Sequence, residues 1–457
     1  MGTSDKGSKV DGSHKSLRQR LKQLLGSEFV FDEYRTLRYL SVDGVLPRMV
    51  AAPADAEEMA RVVEFLAEED LAMAVRGGGT GLGQGHPPSR LDVLILTSRL
   101  DRVEQPDPQT LTVTAGAGIR LDELEHRLAA SGLRLPINPP ATDLATLGGV
   151  IACNAAGPRR LRHGTMLELS AEITLVNARG KTLSTREATL SSPAGPDLTR
   201  LVVGSLGTLG IIVAATVRLE PQPEKLQALL ASFPALDSAL AAADAILACG
   251  ETPAFLELVA PEAIRRMNPL PEGVDLPHGK FVLAVAAEGG KERVKELIEA
   301  DRACLLRARA ETVADLDHGL EWELEYILQE LYAEQQGILL QVSMPRARLS
   351  EFLSQAPSLN GVPGLGLGRM AHAGLGLAHL VLQPERDLDW PEELPQVISH
   401  VRELVAKLSG KMTLLFAPTA LKAKLPVLDR DEAEDPGRRR LQQEWDPHHL
   451  FNPGRLL

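Results

Sequence analysis

The chain has 457 residues, 44% of them hydrophobic and 24% charged, with a formal net charge of −12. Such a chain is too long for one ordinary hydrophobic core and has the composition of a folded, enzyme-sized protein of two or three domains. The acidic balance, without a Lys/Arg stripe, excludes nucleic acid and anionic membrane surfaces as partners, because tracking phosphates requires clustered cations.

The first 45 residues read as a polar, basic tail followed by an amphipathic helix with Leu17, Leu21, Leu24 and Leu25 on one face, either disordered or docked on a partner. No apolar segment precedes Leu24, which is wrong for a secretory signal, and Lys6 stands where a myristoylation pattern wants Ser or Thr. Cys153, Cys249 and Cys304 form no Cys-x-x-Cys pair, so neither a disulfide framework, a zinc knuckle nor a cysteine-ligated iron–sulfur cluster is expected, and a reducing cytoplasm fits.

From Leu46 to Glu220 short β-rich runs ("LAMAVR", "LDVLIL", "TLTVTAG", "AEITLVNARG") alternate with helical ones ("DAEEMARVVEFLAEED", "RLDELEHRLAASG"), predicting an α+β or α/β domain. The uncharged Leu201–Val217 stretch is short for a membrane span and is broken by Gly204, Gly207 and Gly210, so a buried strand, turn and strand is expected. "EPQPEK", Glu220 to Lys225, reads as a linker. Beyond it, helices and strands in the order "SALAAADAILACG", "FVLAVAAEGG", "KERVKELIEADRACLLRA", "GILLQVSMP", "RARLSEFLSQAP" and "AHLVLQ" predict an antiparallel sheet with helices on one face. The chain ends in a short helix, with Arg438 to Arg440 on a solvated face, and a turn-rich tail; no internal repeat is visible.

The densest signal is "AVRGGGTGLGQGHPP", with six glycines between Gly77 and Gly85 directly after an apolar run. Glycines let a backbone turn with positive φ or approach a ligand closely with its N–H groups aimed at an anion. No register gives G-x-G-x-x-G, and no P-loop lysine follows, so both familiar nucleotide loops fail. Two further small-residue clusters, "PPATDLATLGGVIACNAAGPRRLRHG" and "GSLGTLG", make three amide-rich loops in all. An extended cofactor such as FAD suits them better than a compact triphosphate.

These segments resemble the vanillyl-alcohol-oxidase/PCMH-type FAD-binding family. "RGGGTGLG" resembles its pyrophosphate loop, "PPATDLATLGG" its segment crossing the flavin, "VGSLGTLGIIVAATVRLEP" its last FAD-domain strands and "FNPGR" its C-terminal return. Within that family "ACNAAGPRRLRHG", "LFAPTALKAKL" and "DPHHLFNPGR" look most like the FAD-binding subunit of glycolate oxidase, related to D-lactate dehydrogenases. The resemblance implies an α+β chain: a tail at 1–45, a two-subdomain FAD-binding fold at 46–222, an α+β, ferredoxin-like cap at 223–425, and a return segment at 426–457. It assigns the cofactor to Arg76, Gly77, Gly78, Gly79, Thr80, Gly81, Leu82, Pro140, Thr142, Gly148, Gly149, Asn154, Gly157, Gly164, Gly210, Ile211 and Asn452. Relatives with tethered flavin carry histidine where Thr80 stands, so a noncovalent FAD is implied.

Oxidising a 2-hydroxy acid requires a base for the hydroxyl proton and a cation for the carboxylate. "GRMAHAGLGLAHL" offers His372, His379 and Arg369 for those roles, and resembles the metal-binding signature of catalytic relatives with both histidines kept. Leu375 and Leu377 replace its acidic and amide ligands, and "SGKMTLLFAP" stands where a later ligand motif is expected, so no metal is assigned. Satisfied, buried histidines are the competing reading, and Arg159 and Arg160 are a second candidate anion pair. The expected partners are a paralogous FAD catalytic subunit, an iron–sulfur subunit and a small 2-hydroxy acid. The complex would be the only route to the inner face of a membrane, and a self-sufficient 2-hydroxy-acid dehydrogenase is the alternative.

Overall fold

Apolar runs too short for helices, and buried on both faces, become the strands of the first sheet. A computed structural model describes residues 16–185, 197–264, 279–316, 337–356, 362–384, 389–422, 424–425, 427 and 436–456. Strands β1 (Val30–Phe31), β2 (Met49–Ala51), β3 (Met73–Arg76) and β4 (Val93–Leu96) lie in the order β1-β2-β4-β3. The last three are parallel, and β1 is antiparallel at the edge. The helix Ala56–Glu68 begins where the Asp55 carboxylate accepts from Glu58 N and covers the sheet with Met59, Val62, Val63 and Leu66. Residues 16–25 form the expected amphipathic helix, but Leu17, Leu21 and Leu25 are buried in this same core. The helix is thus neither disordered nor held for a partner, and the basic residues before it lie outside the described chain.

A second, antiparallel sheet follows from β5 (Thr112–Gly116), β7 (Ser170–Val176), β8 (Thr182–Ser184) and β9 (Ile211–Arg218), in the order β5-β9-β7-β8. The short strands β6 (Leu133–Arg134) and β10 (Glu220–Pro221) pair beside it. The Leu201–Val217 stretch departs from the expected strand, turn and strand, because the Asp197 carboxylate accepts from Arg200 N and starts a helix, Leu198–Val202. Gly204, Gly207 and Gly210, all at positive φ, then turn the chain into β9. Among the described residues no helix is long and apolar enough to cross a membrane.

The cap is one eight-stranded antiparallel sheet. Its strands are β11 (Lys225–Phe233), β12 (Phe255–Val259), β13 (Phe281–Gly289), β14 (Thr312–Asp315), β15 (Ile338–Ser343), β16 (Leu365–His372), β17 (Leu377–Pro384) and β18 (Lys411–Phe416), in the order β14-β11-β13-β12-β16-β17-β15-β18. Each half runs strand, helix, strand, strand, helix, strand, and the two orders mirror each other across the β12–β16 seam. The cap is therefore a ferredoxin-like unit built twice, a repeat invisible in the sequence because only topology, not residue identity, is repeated. The four helices Leu236–Ala248, Lys291–Arg307, Leu349–Gln355 and Leu394–Lys407 share one core on one face of the sheet. The other face turns Leu339, Gln341, His379, Leu415 and Phe416 toward the FAD-type domain.

Two features lock the halves of the molecule. The final segment returns to the first sheet, with Leu450 O accepting from Met73 N at 2.7 Å and Asn452 N donating to Met73 O at 2.8 Å. At the linker, Arg134 donates to both oxygens of Glu288 at 2.8 and 2.7 Å, and His163 sits between Glu288 (2.5 Å) and Glu220 (2.9 Å).

Candidate cofactor cleft and active site

The glycine loop leaves the C-terminal end of β3, the side of a parallel sheet where ligands bind. Its glycines are required by close backbone packing. A Cβ at Gly77 would lie 2.0 Å from Thr146 Oγ1, at Gly78 1.6 Å from Leu144 O, and at Gly81 2.3 Å from Cys153 Sγ. The loop is thereby pressed against the segment running from Leu144 into the helix Leu147–Cys153. Among the described residues none of the amides of Gly77 to Gly81 donates to a protein acceptor. Five backbone donors along one cleft wall form an anion site.

The cleft beside this loop continues into a larger chamber under the cap, with Gly79, Thr80, Gly81, Gly149 and Cys153 lining both. Gly77, Gly78, Leu82, Gly148, Gly210, Ile211 and Asn452 line the first part, and Pro140 and Asn154 the second. Thr146 Oγ1 and Asn154 Oδ1 are buried with no hydrogen-bond partner among the described residues. Buried polar atoms are rarely left orphaned, so these two call for a polar ligand. An elongated cleft with a row of amides at one end and such orphans along it fits FAD.

Four of the expected cofactor residues lie off these walls. The Arg76 side chain packs under Gly79, whose Cβ would come within 2.7 Å of the guanidinium. Thr142 turns its carbonyl to Asp122 N, Gly157 packs on Asn138 O, and Gly164, at φ 80°, ends the helix Arg160–His163 against Glu168. Conversely, Thr97, Thr146, Cys153, Gly207 and Arg455 line the cleft without having been assigned to the cofactor. Thr146 was legible as the residue before the apolar helix start, whereas nothing local marks Arg455 as reaching back to the loop. Burial pushes the Cys153 thiol up to about 11, so it stays a neutral wall group.

Under the cap, His379 Nε2 lies 3.3 Å from Gln341 Oε1. His372 is one layer deeper, its Nδ1 2.6 Å from Glu257 Oε1 and its ring 5.5 Å from that of His379. Burial holds the His379 imidazole well below the ordinary histidine range, and the nearby His372 and Arg160 act in the same direction. The sequence-based role for Arg369 is corrected: it stands on β16 beside, not among, the residues facing the chamber, because alternate residues of a strand point to opposite faces. Its guanidinium is engaged by Glu262 and Leu353 O under the cap helices. Among the described residues the cation that lines the chamber is Arg160, from the FAD-type domain. The ligand-type atoms of His163, Glu220 and Glu288 also cluster, within 4.8 Å of one another, but Arg134 already takes both Glu288 oxygens, so the group is a matched ion network.

Residues 47–186 match the family described as "FAD binding domain", and residues 222–456 match "FAD linked oxidases, C-terminal domain". The chain is 26% identical to "Glycolate oxidase subunit GlcD" of Bacillus subtilis (strain 168), covering 97% of both chains. It is 27% identical to a "D-lactate dehydrogenase" of Archaeoglobus fulgidus, covering 90% of this chain and 91% of that one. A "D-2-hydroxyglutarate dehydrogenase" of Xanthomonas citri pv. viticola is 26% identical, over 90% and 89%. Its fold is that of p-cresol methylhydroxylase solved with substrate bound, at a TM-score of 0.76 and 15% identity, over 99% and 97% of the two chains. A PCMH-type FAD cleft closed by a doubled ferredoxin-like cap, matched by family signatures over both halves, places this chain among the FAD linked oxidases, as an FAD-dependent oxidoreductase related to 2-hydroxy-acid dehydrogenases.

Proposed function

We propose that the chain holds FAD without a covalent tether and serves as the FAD-binding subunit of a glycolate-oxidase-type complex. In that reading a paralogous FAD subunit carries out the 2-hydroxy-acid chemistry, and an iron–sulfur subunit passes electrons to an acceptor other than NAD. The carrying observation is the composition of the chamber: among the described residues its ionisable wall groups beyond the thiol of Cys153 are His379 and Arg160, with no carboxylate. When bound, FAD supplies the electron-accepting chemistry. The loop amides and Thr146 would hold it, and Asn154 would face its flavin end. Arg160 offers one positive charge for a substrate carboxylate. His379 is a poor proton acceptor: in the tautomer that donates Nε2–H to Gln341, the basic nitrogen is Nδ1, which is buried.

Three measurements check this reading. Acid precipitation of the FAD-loaded protein should leave the yellow colour in the supernatant, since Thr80 lacks the imidazole that forms the flavin bond in tethered relatives; colour retained in the pellet would refute the untethered assignment. Anaerobic mixing of the isolated chain with glycolate or D-lactate should bleach the flavin slowly, because lacking a well-placed base costs on the order of a hundredfold to ten-thousandfold in rate. Fast bleaching that both His379→Ala and Arg160→Met suppress would instead make this chain the catalyst. Purification of the untagged protein from its host should bring a second flavoprotein and an iron–sulfur chain with it.

A further inference from the structure

Against the carbonyls of the glycine loop, three charged groups from distant parts of the chain meet out of water. Asp43 comes from the turn before β2, Lys422 from the short helix Thr419–Lys422 after the cap, and Arg455 from the C-terminal return. Lys422 is 1% exposed and Arg455 2%. Lys422 Nζ donates to Asp43 Oδ1 at 2.8 Å and to Gly83 O at 2.5 Å. Arg455 Nη1 donates to Asp43 Oδ2 at 2.8 Å and to His86 O at 3.0 Å, and Nη2 reaches Leu82 O. His86 N in turn donates to Arg455 O at 2.9 Å. The single carboxylate bridges the two cations, and each cation also donates to carbonyls of the glycine loop.

This arrangement has a polarity. The carbonyls of Leu82, Gly83 and His86 are drawn backward onto cations, while the preceding amides of the same loop are left to the cleft. Two cations and one anion leave a net charge of +1 within a low-dielectric wall, and Arg455 itself lines the cleft. The nearby His86 feels it: burial, then Lys422 and Arg455, lower its pKa, so it adds no competing charge. A loop this rich in glycine has many alternatives to the binding shape, and fixing its carbonyls removes them before a ligand arrives.

We propose that Asp43, Lys422 and Arg455 form a positioning triad that presets the glycine loop for the diphosphate of the dinucleotide, an inference that rests on FAD occupying the cleft. Because Lys422 follows the cap and Asp43 precedes the first sheet, the triad also makes cofactor affinity depend on the cap segment being docked.

Lys422→Met removes both the charge and the donors; Lys422→Gln keeps a donor and removes the charge. Charge-assisted hydrogen bonds of this kind correspond to about 10- to 100-fold in an equilibrium constant, so titration of the apoprotein should show FAD affinity falling by that factor in Lys422→Met and by less in Lys422→Gln. Amide hydrogen exchange of the apoprotein should quicken in peptides covering the loop and the C-terminal return, and stay unchanged in the cap sheet. Unchanged FAD affinity in both variants overturns the triad, as does exchange that quickens throughout the molecule or a Lys422→Gln chain that does not fold. Failure of the wild-type chain itself to take up FAD overturns the cofactor reading instead.

Discussion

Gly78→Ala should yield a colourless protein. A Cβ at this position would lie 1.6 Å from Leu144 O and 2.5 Å from Leu144 C. Both are backbone atoms, so no rotamer change relieves the contact; either the loop or the 144–146 segment must move, and these are the two walls that the cleft requires together. Overpacking of a close backbone contact costs about 1–3 kcal/mol or more, and concentrated in the cleft this corresponds to a loss of about a hundredfold in FAD affinity. The flavin-to-protein absorbance ratio after purification and titration of the apoprotein both read it. Gly290→Ala is the control, since its Cβ would meet nothing nearer than Glu224 at 3.9 Å. Gly78→Ala protein purified with a full complement of flavin would show that this packing does not shape the site.

The second large effect belongs to the joint between the FAD-type domain and the cap. Glu288→Ala should lower thermal stability sharply, because it leaves Arg134 and His163 buried without the carboxylate that both share. Breaking a buried pair by removing one partner costs about 3–5 kcal/mol, which corresponds to about 3–5 °C in Tm for a chain of this size. The effect should depend on pH with a definite sign. The Glu288 carboxyl is held well below its usual range by hydrogen bonds from His163 and Arg134 against the opposing cost of burial, so its contribution is present above about pH 4.5 and is lost as pH falls through the depressed value. Burial opposes protonation of His163, but its bonds to Glu220 and Glu288 prevail and raise it, so that contribution is complete below about pH 6.5 and disappears as pH rises through the raised value. Thermal unfolding followed by circular dichroism should therefore find the largest difference between wild type and Glu288→Ala between about pH 4.5 and 6.5. A difference that does not vary with pH would show that His163 is not part of the joint.

Much of the site was legible locally. A run of glycines after an apolar strand constrains what its backbone can do, and Gly77 to Leu82, Gly148, Gly149, Gly210, Ile211 and Asn452 do line the cleft. The structure adds what is decided by remote neighbours. Arg76 and Gly157, which the resemblance gives to the cofactor, lie off the cleft walls, where Arg76 packs under Gly79 and Gly157 makes room for Asn138 O. The Arg369 assignment failed on strand parity: read as part of a strand, three residues from His372, it belongs to the opposite face. A loop reading of the same segment hides that.

The amino-acid sequence by itself determined the local conformations: the glycine loop, the apolar strands and the amphipathic helices that cover them. These depend on steric freedom, periodicity and the chemistry of neighbouring residues. The tertiary structure alone decided that the leucines of the first helix are buried in the chain's own core, that the cap is one unit built twice, and that Arg160 rather than Arg369 meets His379. It also decided that Asp43, Lys422 and Arg455 converge behind one loop, although 412 residues separate the first from the last. Such pairings are set by which buried charges and apolar faces satisfy one another in three dimensions, and chain separation carries no trace of them.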